Sequence, residues 1–483
     1  MRKLLYIVMI FIGVSACTSR QESKPYDWDD DLHQRLLADF CLTESQVKDY
    51  IRKYIPDVTD EQMRQWEESK ALECRVIDGE KRYFRNAGPN LFRIDSACCA
   101  VKMEKEGTSL STSEQVNKEH LPEVMAAVRK EKTPVVQPKR MRVTYTLTVD
   151  SNAVPAGKMI RCWLPYPRTD QPRQQNVKLL HVSEPRYTLS PPSCRHSTLY
   201  MEKQAIPGEP TVFSETFEYT SCAEWHPLKP GNILPYDTAG ALYKEYTAER
   251  ETHIRFTPRI KELAANLTVG ETNPLLKAQR IFRWINDHFP WASAREYSTI
   301  ENIPEYVLDN RHGDCGQVSL LFITLCRCSG IPARFQSGFM MHPRAWNLHD
   351  WAEVYFEGAG WVPVDQSFGI PTFADNPEEK MFFMGGIDSW RMIVNSDYSM
   401  PLVPEKKYPR SETVDFQRGE VEWEGGNLYF PQWSYHILSS FSIKDLSVFR
   451  KDLSVSQKDF SLSRETFKSF FCLLNPCVSC NEC

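Results

Sequence analysis

The sequence predicts an α+β protein in which a β-rich module lies between two regions that contain helices. Up to about residue 135, helical spacing with capping residues dominates. From 140 to about 225, apolar and polar residues alternate in stretches rich in β-branched and aromatic side chains. After residue 250, a helical pattern precedes three strand candidates, near 334–340, 350–356 and 360–365. This order is typical of an α+β arrangement, and 483 residues are enough for two or three packed units.

The first residues have the pattern of an export signal. Arg2 and Lys3 precede the apolar run LLYIVMIFIGV, which is shorter than the roughly 20 residues needed to cross a bilayer. The segment VSAC that closes the run resembles a bacterial lipobox. The resemblance implies a signal peptide over residues 1–16 and lipidation of Cys17, which would anchor the protein in the cell envelope, in the periplasm or at the outer membrane. An uncleaved or simply secreted form is the alternative.

Composition and charge exclude some classes of partner. The formal net charge is -5 and 41% of the residues are hydrophobic. The chain therefore lacks the basic field that nucleic-acid binding needs, and it is too apolar for wholesale disorder. We predict no nucleic-acid partner. The 15 cysteines of an exported protein would allow one or two disulfides, but their irregular spacing assigns no pairs.

A mainly helical region with one β-hairpin is predicted for residues 17–139. Thr43 and Thr59 each precede a glutamine by three residues, which is the spacing of a capping box at the start of a helix. An Asp-Gly pair at 78–79 joins two strand-like runs and indicates a tight hairpin. The polar stretch 104–118 and the segment KTPVVQPKR have the composition of connectors.

Three further segments complete the predicted organisation. Residues 140–225 form a β-sandwich-like module, and residues 226–440 form the unit that carries the chemistry, with its core at 250–370. Residues 441–483 contain a seven-residue repeat whose apolar positions do not fit a coiled coil, so we expect a disordered tail. Four cysteines near its end could ligate zinc or an iron–sulfur cluster, but no surrounding fold supports them, and no metal site is predicted. They are Cys472, Cys477, Cys480 and Cys483.

Cys315 lies where a helix is expected to begin. It follows Asp314 in the segment NRHGDCGQVSLLFITLCRCSGIPAR, and the apolar residues from Val318 onward have helical spacing. Unpaired N–H groups and the helix dipole favour a thiolate at this position, so the sequence predicts a lowered pKa for Cys315. The same N–H groups could face an oxyanion. The alternative is a buried packing thiol, which is the role expected for Cys326 and Cys328.

A cysteine nucleophile needs a proton acceptor and usually a group that orients the acceptor. His349 opens a strand-like run in LHDWAEVYFEGAGWVPVDQSFG, and Asp365 closes the next run. If the two runs pair through the EGAG turn, they bring an imidazole and a carboxylate to one edge of a sheet. His288 ends a helix just before Pro290 with no partner motif around it, and we expect it to be structural.

These motifs resemble the transglutaminase-like superfamily, a papain-related fold in which Cys, His and Asp occur in that order. The matching segments are AQRIFRWINDHFPW, RHGDCGQVSLLFITLCRCSGIPAR and HDWAEVYFEGAGWVPVD, which cover about residues 250–370. The resemblance implies a nucleophile-bearing helix packed on an antiparallel sheet. It implies Cys315 as nucleophile, His349 as general base and then acid, and Asp365 as the residue that orients His349. We expect no cofactor and no metal ion.

The remaining motif residues are expected to be structural. Residues 330–332, Gly-Ile-Pro, should end the helix and redirect the chain into a strand. Gln317 and Asp314 adjoin the nucleophile and could touch substrate, although capping the helix is at least as good a role for Asp314. Three others match positions that pack or brace the sheet in the family, namely Trp351, Glu353 and Trp361.

The family reaction begins with attack of a thiolate on a carboxamide or peptide carbonyl, which forms a thioester and releases an amine. Water then hydrolyses the thioester, or a second amine captures it and cross-links the chains. Because nothing here resembles the calcium sites or accessory barrels of animal cross-linking enzymes, we favour a cysteine peptidase or amidase acting on protein, peptide or cell-wall peptide. Cross-linking is the second interpretation. The third is a non-catalytic exported binding protein that uses the β-module for recognition.

Overall fold

Residues 27–441 are described by the computed structural model of the chain. The predicted signal peptide, Cys17 and the predicted tail with its four cysteines lie outside the described residues, apart from Phe441. Between residues 27 and 441, no helix combines the length and the apolar composition that crossing a bilayer requires.

Helices and one hairpin make up the N-terminal region. The helices are α1 (Trp28–Asp39), α2 (Glu44–Ile51), α3 (Asp60–Glu68), α4 (Ala87–Ile94), α5 (Ser96–Glu106) and α6 (Thr112–Glu131). The hairpin strands are β1 (Cys74–Ile77) and β2 (Glu80–Tyr83). Both predicted capping boxes are present, since the hydroxyls of Thr43 and Thr59 each accept a hydrogen bond from the backbone of the glutamine three residues on. The predicted hairpin turn is confirmed, with Asp78 at φ 53° and Gly79 at φ 81°, the left-handed region that tight hairpin turns use.

A run of strands follows the helical region. They are β3 (Val135–Val149), β4 (Met159–Pro165), β5 (Gln174–Val182), β6 (Tyr187–Leu189), β7 (Thr198–Gln204) and β8 (Thr211–Trp225). Apolar residues alternate along β3 and β8, so one face of each strand is buried.

Helices return after β8 and lead into a second group of strands. The helices are α7 (Ala241–Tyr246), α8 (Pro258–Thr268), α9 (Pro274–His288), α10 (Ile303–Asn310) and α11 (Cys315–Cys328). Next come β9 (Ala333–His342), β10 (Ala345–Phe356), β11 (Gly360–Val364), α12 (Pro377–Lys380), β12 (Gly386–Ile387) and β13 (Arg391–Asn395). The described chain ends with β14 (Glu420–Trp423), β15 (Gly426–Asn427) and β16 (Trp433–Phe441). The three predicted strands after the cysteine helix are confirmed as β9, β10 and β11.

The β-module consists of two five-stranded sheets. One sheet has the order β12-β8-β3-β16, with β5 also paired to β8, and the other has the order β15-β14-β4-β7-β6. Side chains from both sheets share one apolar core, as a sandwich requires. That core includes Tyr145, Leu147, Phe217, Leu164 and Met201.

A four-stranded antiparallel sheet, in the order β11-β10-β9-β13, forms the base of the cysteine helix. Helix α11 is almost entirely buried, because it packs on one face of this sheet and against α8, α9 and α10. Ala352, Val354 and Val364 lie on the strand face that meets the helix core. The α+β class, with a nucleophile-bearing helix on an antiparallel sheet, is therefore confirmed.

Two predicted connectors are partly regular structure. The polar stretch 104–118 includes the start of α6, because Ser111 caps that helix. The segment 132–140 includes the start of β3, where a register shift between Val136 and Lys139 accommodates Pro138. A proline in the sequence indicates the end of a strand, but here a bulge lets β3 continue past Pro138.

The predicted domain limits stay a prediction, but the strand pairing shows where the units interlock. Within the segment 226–440 assigned to the catalytic unit, β14 pairs with β4 and β16 pairs with β3. Strand β12 also pairs with β8. The β-module is thus completed by chain that follows the catalytic core, which local patterns could not reveal because pairing partners lie far apart in sequence.

Candidate active site

The hairpin formed by β10 and β11 brings His349 and Asp365 together. Their strands pair through the EGAG turn, and the last paired residues are Ala352 and Val364. The imidazole Nε2 of His349 lies 2.8 Å from Oδ2 of Asp365, and both side chains are buried. The sequence predicted this pairing. Beyond Ala352, in the direction of His349, β10 no longer pairs with β11.

A buried arginine that the sequence did not reveal holds the carboxylate in place. The Nη2 group of Arg391, in β13, donates to Oδ2 of Asp365 at 2.9 Å, and Asp388 accepts from Arg391 at 2.6 and 2.9 Å. The backbone N–H of Phe368 donates to Oδ1 of Asp365 at 3.1 Å. Burial raises the pKa of Asp365, but the charges of His349 and Arg391 more than offset this and hold it below its ordinary value. Asp365 is therefore ionised at neutral pH.

Aromatic rings enclose the imidazole. Phe368 lies edge-on to His349 with ring centroids 5.3 Å apart, and Trp351 stacks beside it at 5.9 Å. Burial lowers the pKa of His349 despite the opposing charge of Asp365. The imidazole is thus neutral near pH 7, and since Nε2 faces Asp365, its other nitrogen, Nδ1, is the one left to accept a proton.

Cys315 is the first residue of α11, as predicted. Asp314 caps the helix, because its side chain accepts from the backbone N–H of Gln317 at 3.1 Å while the Gln317 side chain accepts from the N–H of Asp314. The capping role predicted for Asp314 is confirmed. Cys315 is half-buried, and its Sγ donates to Oδ2 of Asp350 at 3.5 Å.

The acidity predicted for Cys315 was wrong in direction. Burial raises its pKa well above the ordinary value, and the neighbouring carboxyls of Asp350 and Asp314 raise it further. The backbone N–H of Asp350 acts in the opposite direction without reversing the result. The helix terminus was visible in the sequence, but the carboxyl that β10 brings against the sulfur was not. In this structure Cys315 is a neutral thiol at pH 7.

The structure brings the three predicted residues to one region without joining all of them. His349 is hydrogen-bonded to Asp365, whereas Cys315 is hydrogen-bonded to Asp350, the next residue along β10. Consecutive strand residues point to opposite faces of a sheet, and Asp350 is the one that faces Cys315 and the start of α11. No hydrogen bond joins the Cys315 thiol to His349 in the described chain. The catalytic roles of the three residues stay a prediction.

A tight contact explains the glycine that follows the nucleophile. A Cβ atom on Gly316 would lie 2.3 Å from the hydroxyl of Tyr297 and 2.6 Å from Oδ2 of Asp350. The Tyr297 hydroxyl donates to Oδ1 of Asp314 at 2.6 Å, which keeps the ring over the helix terminus. Only glycine lets both side chains approach the start of α11.

Ion pairs tie the N-terminal region to this part of the molecule. Asp39, at the end of α1, accepts from the backbone N–H of Glu296 at 2.9 Å. Arg85 lies 3.0 Å from the carboxylate of Glu296, and Arg418 approaches the same carboxylate at 2.6 Å. Since Glu296 precedes Tyr297, the N-terminal helices help to hold the segment that covers the nucleophile.

The other motif residues have the structural roles predicted for them. Trp351 is buried and its Nε1 donates to Gln336 at 2.6 Å, and Glu353 accepts from Arg334 at 2.7 Å. The guanidinium of Arg334 lies 4.1 Å from the ring centroid of Trp361. These contacts brace the sheet.

The chain leaves α11 as predicted. His288 and Cys326, which the sequence analysis considered structural, lie in structural positions. Gly330, at φ 76°, follows the last helical turn, and β9 begins three residues later. His288 is exposed, and its Nδ1 donates to the backbone oxygen of Trp284, 2.7 Å away. Cys326 is buried, and it is a free thiol. The one or two disulfides considered possible are not formed between residues 27 and 441.

Comparison with known proteins places a family domain over this site. Residues 261–366 match the family model described as transglutaminase-like superfamily. An uncharacterised protein of Haemophilus influenzae is 27% identical over 156 residues, which are 26% of this chain and 41% of that protein. A protein-glutamine gamma-glutamyltransferase of Pseudomonas aeruginosa is 23% identical over 124 residues, which are 23% of this chain and 19% of that enzyme. The chain thus matches less than half the length of these relatives.

Solved structures show distant likeness. A proposed cysteine protease from Cytophaga hutchinsonii is 14% identical, with a TM-score of 0.42, and covers 64% of this chain and 92% of its own. The periplasmic domain of TgpA from Pseudomonas aeruginosa is also 14% identical, with a TM-score of 0.26, and covers 51% of this chain and 91% of its own. The match to the transglutaminase-like superfamily is confined to residues 261–366.

Proposed function

We propose that this chain, whose residues 261–366 form a transglutaminase-like domain, hydrolyses amide or peptide bonds through a thioester on Cys315. Its substrate is a protein, a peptide or a cell-wall peptide. The observation that carries the proposal is the buried His349–Asp365 pair, one residue along β10 from the contact between Asp350 and Cys315. A base, its orienting carboxylate and a thiol at a helix terminus are the groups that acyl transfer requires.

The acid–base state of the site shapes the first step. Because the thiol and the imidazole are both neutral at rest, His349 accepts the thiol proton as sulfur attacks the substrate carbonyl carbon. The carbonyl electron pair moves to oxygen, and the positive end of the α11 dipole stabilises the resulting oxyanion. As the C–N bond breaks, protonated His349 donates its proton to the leaving amine, and the thioester remains.

Water completes the reaction. His349 removes a proton from water as its oxygen attacks the thioester carbonyl, and the C–S bond breaks to release a carboxylic acid. The proton returns to sulfur, which restores the neutral thiol. Asp365 stays ionised throughout, held by Arg391, and stabilises the imidazolium that forms in each half of the cycle.

Cross-linking is the second candidate. The name of the Pseudomonas relative, a protein-glutamine gamma-glutamyltransferase, favours it. In this case an amine replaces water in the second step, and the product joins two chains. The third candidate, a non-catalytic binding protein, predicts no thioester at all.

The proposed location is the cell envelope, with a lipid on Cys17 as the membrane anchor. The pattern of the first 17 residues supports it. Metabolic labelling with a fatty-acid analogue, compared between the natural chain and Cys17→Ser, tests it. Labelling that persists in Cys17→Ser contradicts the anchor.

Incubation of the purified protein with a panel of peptides and cell-wall fragments tests the reaction. Each substrate is incubated with and without an added primary amine, and product masses are measured. A hydrolysed fragment supports the first candidate, and an amine adduct supports the second. Cys315→Ala must lose either product, while Cys326→Ala, which changes a buried thiol on the same helix, should keep it. Turnover by Cys315→Ala at the natural rate refutes both enzymatic proposals.

A further inference from the structure

Asp350 has an unusual position for a buried carboxyl. Only 2% of its surface is exposed, and its Oδ2 accepts the hydrogen bond of the Cys315 thiol at 3.5 Å. Its Oδ1 accepts from the amide Nε2 of Gln417 at 2.7 Å, and the same amide also donates to the backbone oxygen of His349 at 3.0 Å. Gln417 lies in the loop before β14. Strand β10 and the loop before β14, which are distant in sequence, thus together hold the carboxyl of Asp350 against the sulfur of Cys315.

The hydrogen-bonding partners of Asp350 carry no positive charge. One is a thiol and the other an amide. The ionisable groups that face it from the packed elements are Asp314 at the start of α11, Tyr297 in the segment before α10, and Glu412 and Asp415 in the loop before β14. Glu412 is paired with Arg418, whereas Oδ1 of Asp415 is buried and has no hydrogen-bond partner within residues 27–441. An ionised carboxylate at Asp350 is therefore costly.

The charge on Asp350 acts directly on the reacting sulfur. A carboxylate 3.5 Å away disfavours a thiolate, because two negative charges at that distance repel strongly in a site with little water. A protonated carboxyl has the reverse effect, since its O–H can donate to the thiolate. Burial raises the pKa of Asp350 well above its ordinary value, and Asp314 and Glu412 raise it further.

We propose that Asp350 is a further catalytic residue that controls the nucleophile: ionised, it holds Cys315 as a thiol, and protonated, it donates a hydrogen bond to the Cys315 thiolate. The proposal rests on the proposed function of Cys315. In the attack step the thiol proton goes to His349, and the proton of Asp350 stays on Asp350 while its hydrogen bond shifts to sulfur. As the pH rises, Asp350 loses that proton. The thiolate of Cys315 then forms less readily than that of a thiol with no carboxylate beside it at the same pH, so Cys315 is the weaker nucleophile.

Alkylation of Cys315 tests the proposal without knowledge of the substrate. The full chain and its variants are treated with iodoacetamide over a range of pH, and modification of Cys315 is followed by peptide mass spectrometry. Asp350→Asn mimics the protonated carboxyl at every pH. We expect its alkylation midpoint to fall by one pH unit or more, so that Cys315 reacts about tenfold faster below the midpoint. Glu215→Gln, which neutralises a buried carboxyl in the β-module, is the matched control and should leave the curve unchanged.

Further measurements keep the outcome unambiguous. Asp350→Ala removes the carboxyl without adding a donor, and it should also lower the midpoint, by less than Asp350→Asn. If both variants fail to fold, as judged by circular dichroism, the natural chain still decides, because coupled titration of Asp350 and Cys315 requires a curve broader than a one-proton transition. An unchanged or raised midpoint in folded Asp350→Asn, or a one-proton curve in the natural chain, overturns the proposal.

Failure of this proposal is distinct from failure of the proposed function. Turnover that persists in Cys315→Ala removes the enzymatic role of the thiol whatever the alkylation curves show. Turnover that requires Cys315, together with a midpoint that Asp350→Asn does not shift, leaves the reaction standing and removes only the role of Asp350.

Discussion

Asp365→Asn should weaken the proposed reaction only moderately, because neighbouring donors decide how the new amide sits. In the natural chain, Oδ2 of Asp365 receives both His349 Nε2 at 2.8 Å and Arg391 Nη2 at 2.9 Å. Oδ1 receives only the backbone N–H of Phe368, at 3.1 Å. An amide NH₂ placed at the Oδ2 position would meet two donors, one of them charged. The amide oxygen should therefore stay at Oδ2, with the NH₂ towards Phe368.

This orientation preserves the tautomer of His349. With an oxygen acceptor still at Nε2, the proton remains on Nε2 and Nδ1 remains free to act as base. What is lost is the charge of the acceptor, and a hydrogen bond to a charged group contributes about 1.5–3 kcal/mol. That loss corresponds to a decrease in kcat/KM of about 10- to 150-fold. If the tautomer were reversed, the loss would be nearer 10⁴-fold, by analogy with related triads.

The assay is steady-state turnover of whichever substrate the peptide panel identifies, compared among the natural chain, Asp365→Asn and Asp365→Ala. Asp365→Ala removes the acceptor and leaves Arg391 without this partner, so it should lose clearly more activity than Asp365→Asn. Thermal unfolding of both variants checks that they are folded. Equal losses in the two variants, or a loss near 10⁴-fold in folded Asp365→Asn, would refute the reasoning about Arg391.

Three other outcomes are expected. Cys315→Ala should abolish turnover while its unfolding temperature stays close to that of the natural chain, and a large drop in that temperature would argue for a packing role instead. Gly338→Ala should lower the free energy of unfolding by about 3 kcal/mol in denaturant titration, because the added Cβ would lie 1.9 Å from the backbone oxygen of Met392. The control Gly231→Ala should change this free energy little, since no described atom lies within 4 Å of its added Cβ. His312 is buried and has no hydrogen-bond partner among the described residues, and burial lowers its pKa from 6.5 to about 4. As the pH falls, His312 therefore binds a proton in the unfolded chain before it does so in the folded chain. The free energy of unfolding should decrease by up to about 3 kcal/mol between pH 6.5 and pH 4. His312→Phe should make the free energy of unfolding depend less on pH in this range.

Local patterns in the sequence predicted the elements of the site well. Capping residues marked the start of α2, α3 and α11, and the EGAG turn between two alternating runs predicted the pairing of His349 with Asp365. These features depend on residues that are close in sequence, so spacing and residue type were enough. The connector interpretation failed at Pro138, where a bulge decided the outcome instead of the residue type.

Contacts between distant segments could not be predicted in the same way. Nothing near Arg391 marks it as the anchor of Asp365, and nothing near Gln417 marks it as the residue that holds Asp350. The strands β14 and β16 join the β-module from beyond the catalytic core. Each of these contacts joins segments that are far apart in sequence, and no repeating pattern in the sequence connects them.

The sequence by itself determined which groups are available for chemistry: a cysteine at the start of a helix, a histidine on a strand, and an aspartate at the end of the next strand. Tertiary structure alone decided their protonation. Helix termini favour a thiolate in general, but folding buried Cys315 and brought the carboxyl of Asp350 against it. Burial opposes the negative charge, and so does this carboxyl when it is ionised. Protonation depends on solvation and on charges within a few ångströms, and those distances exist only once the chain is folded.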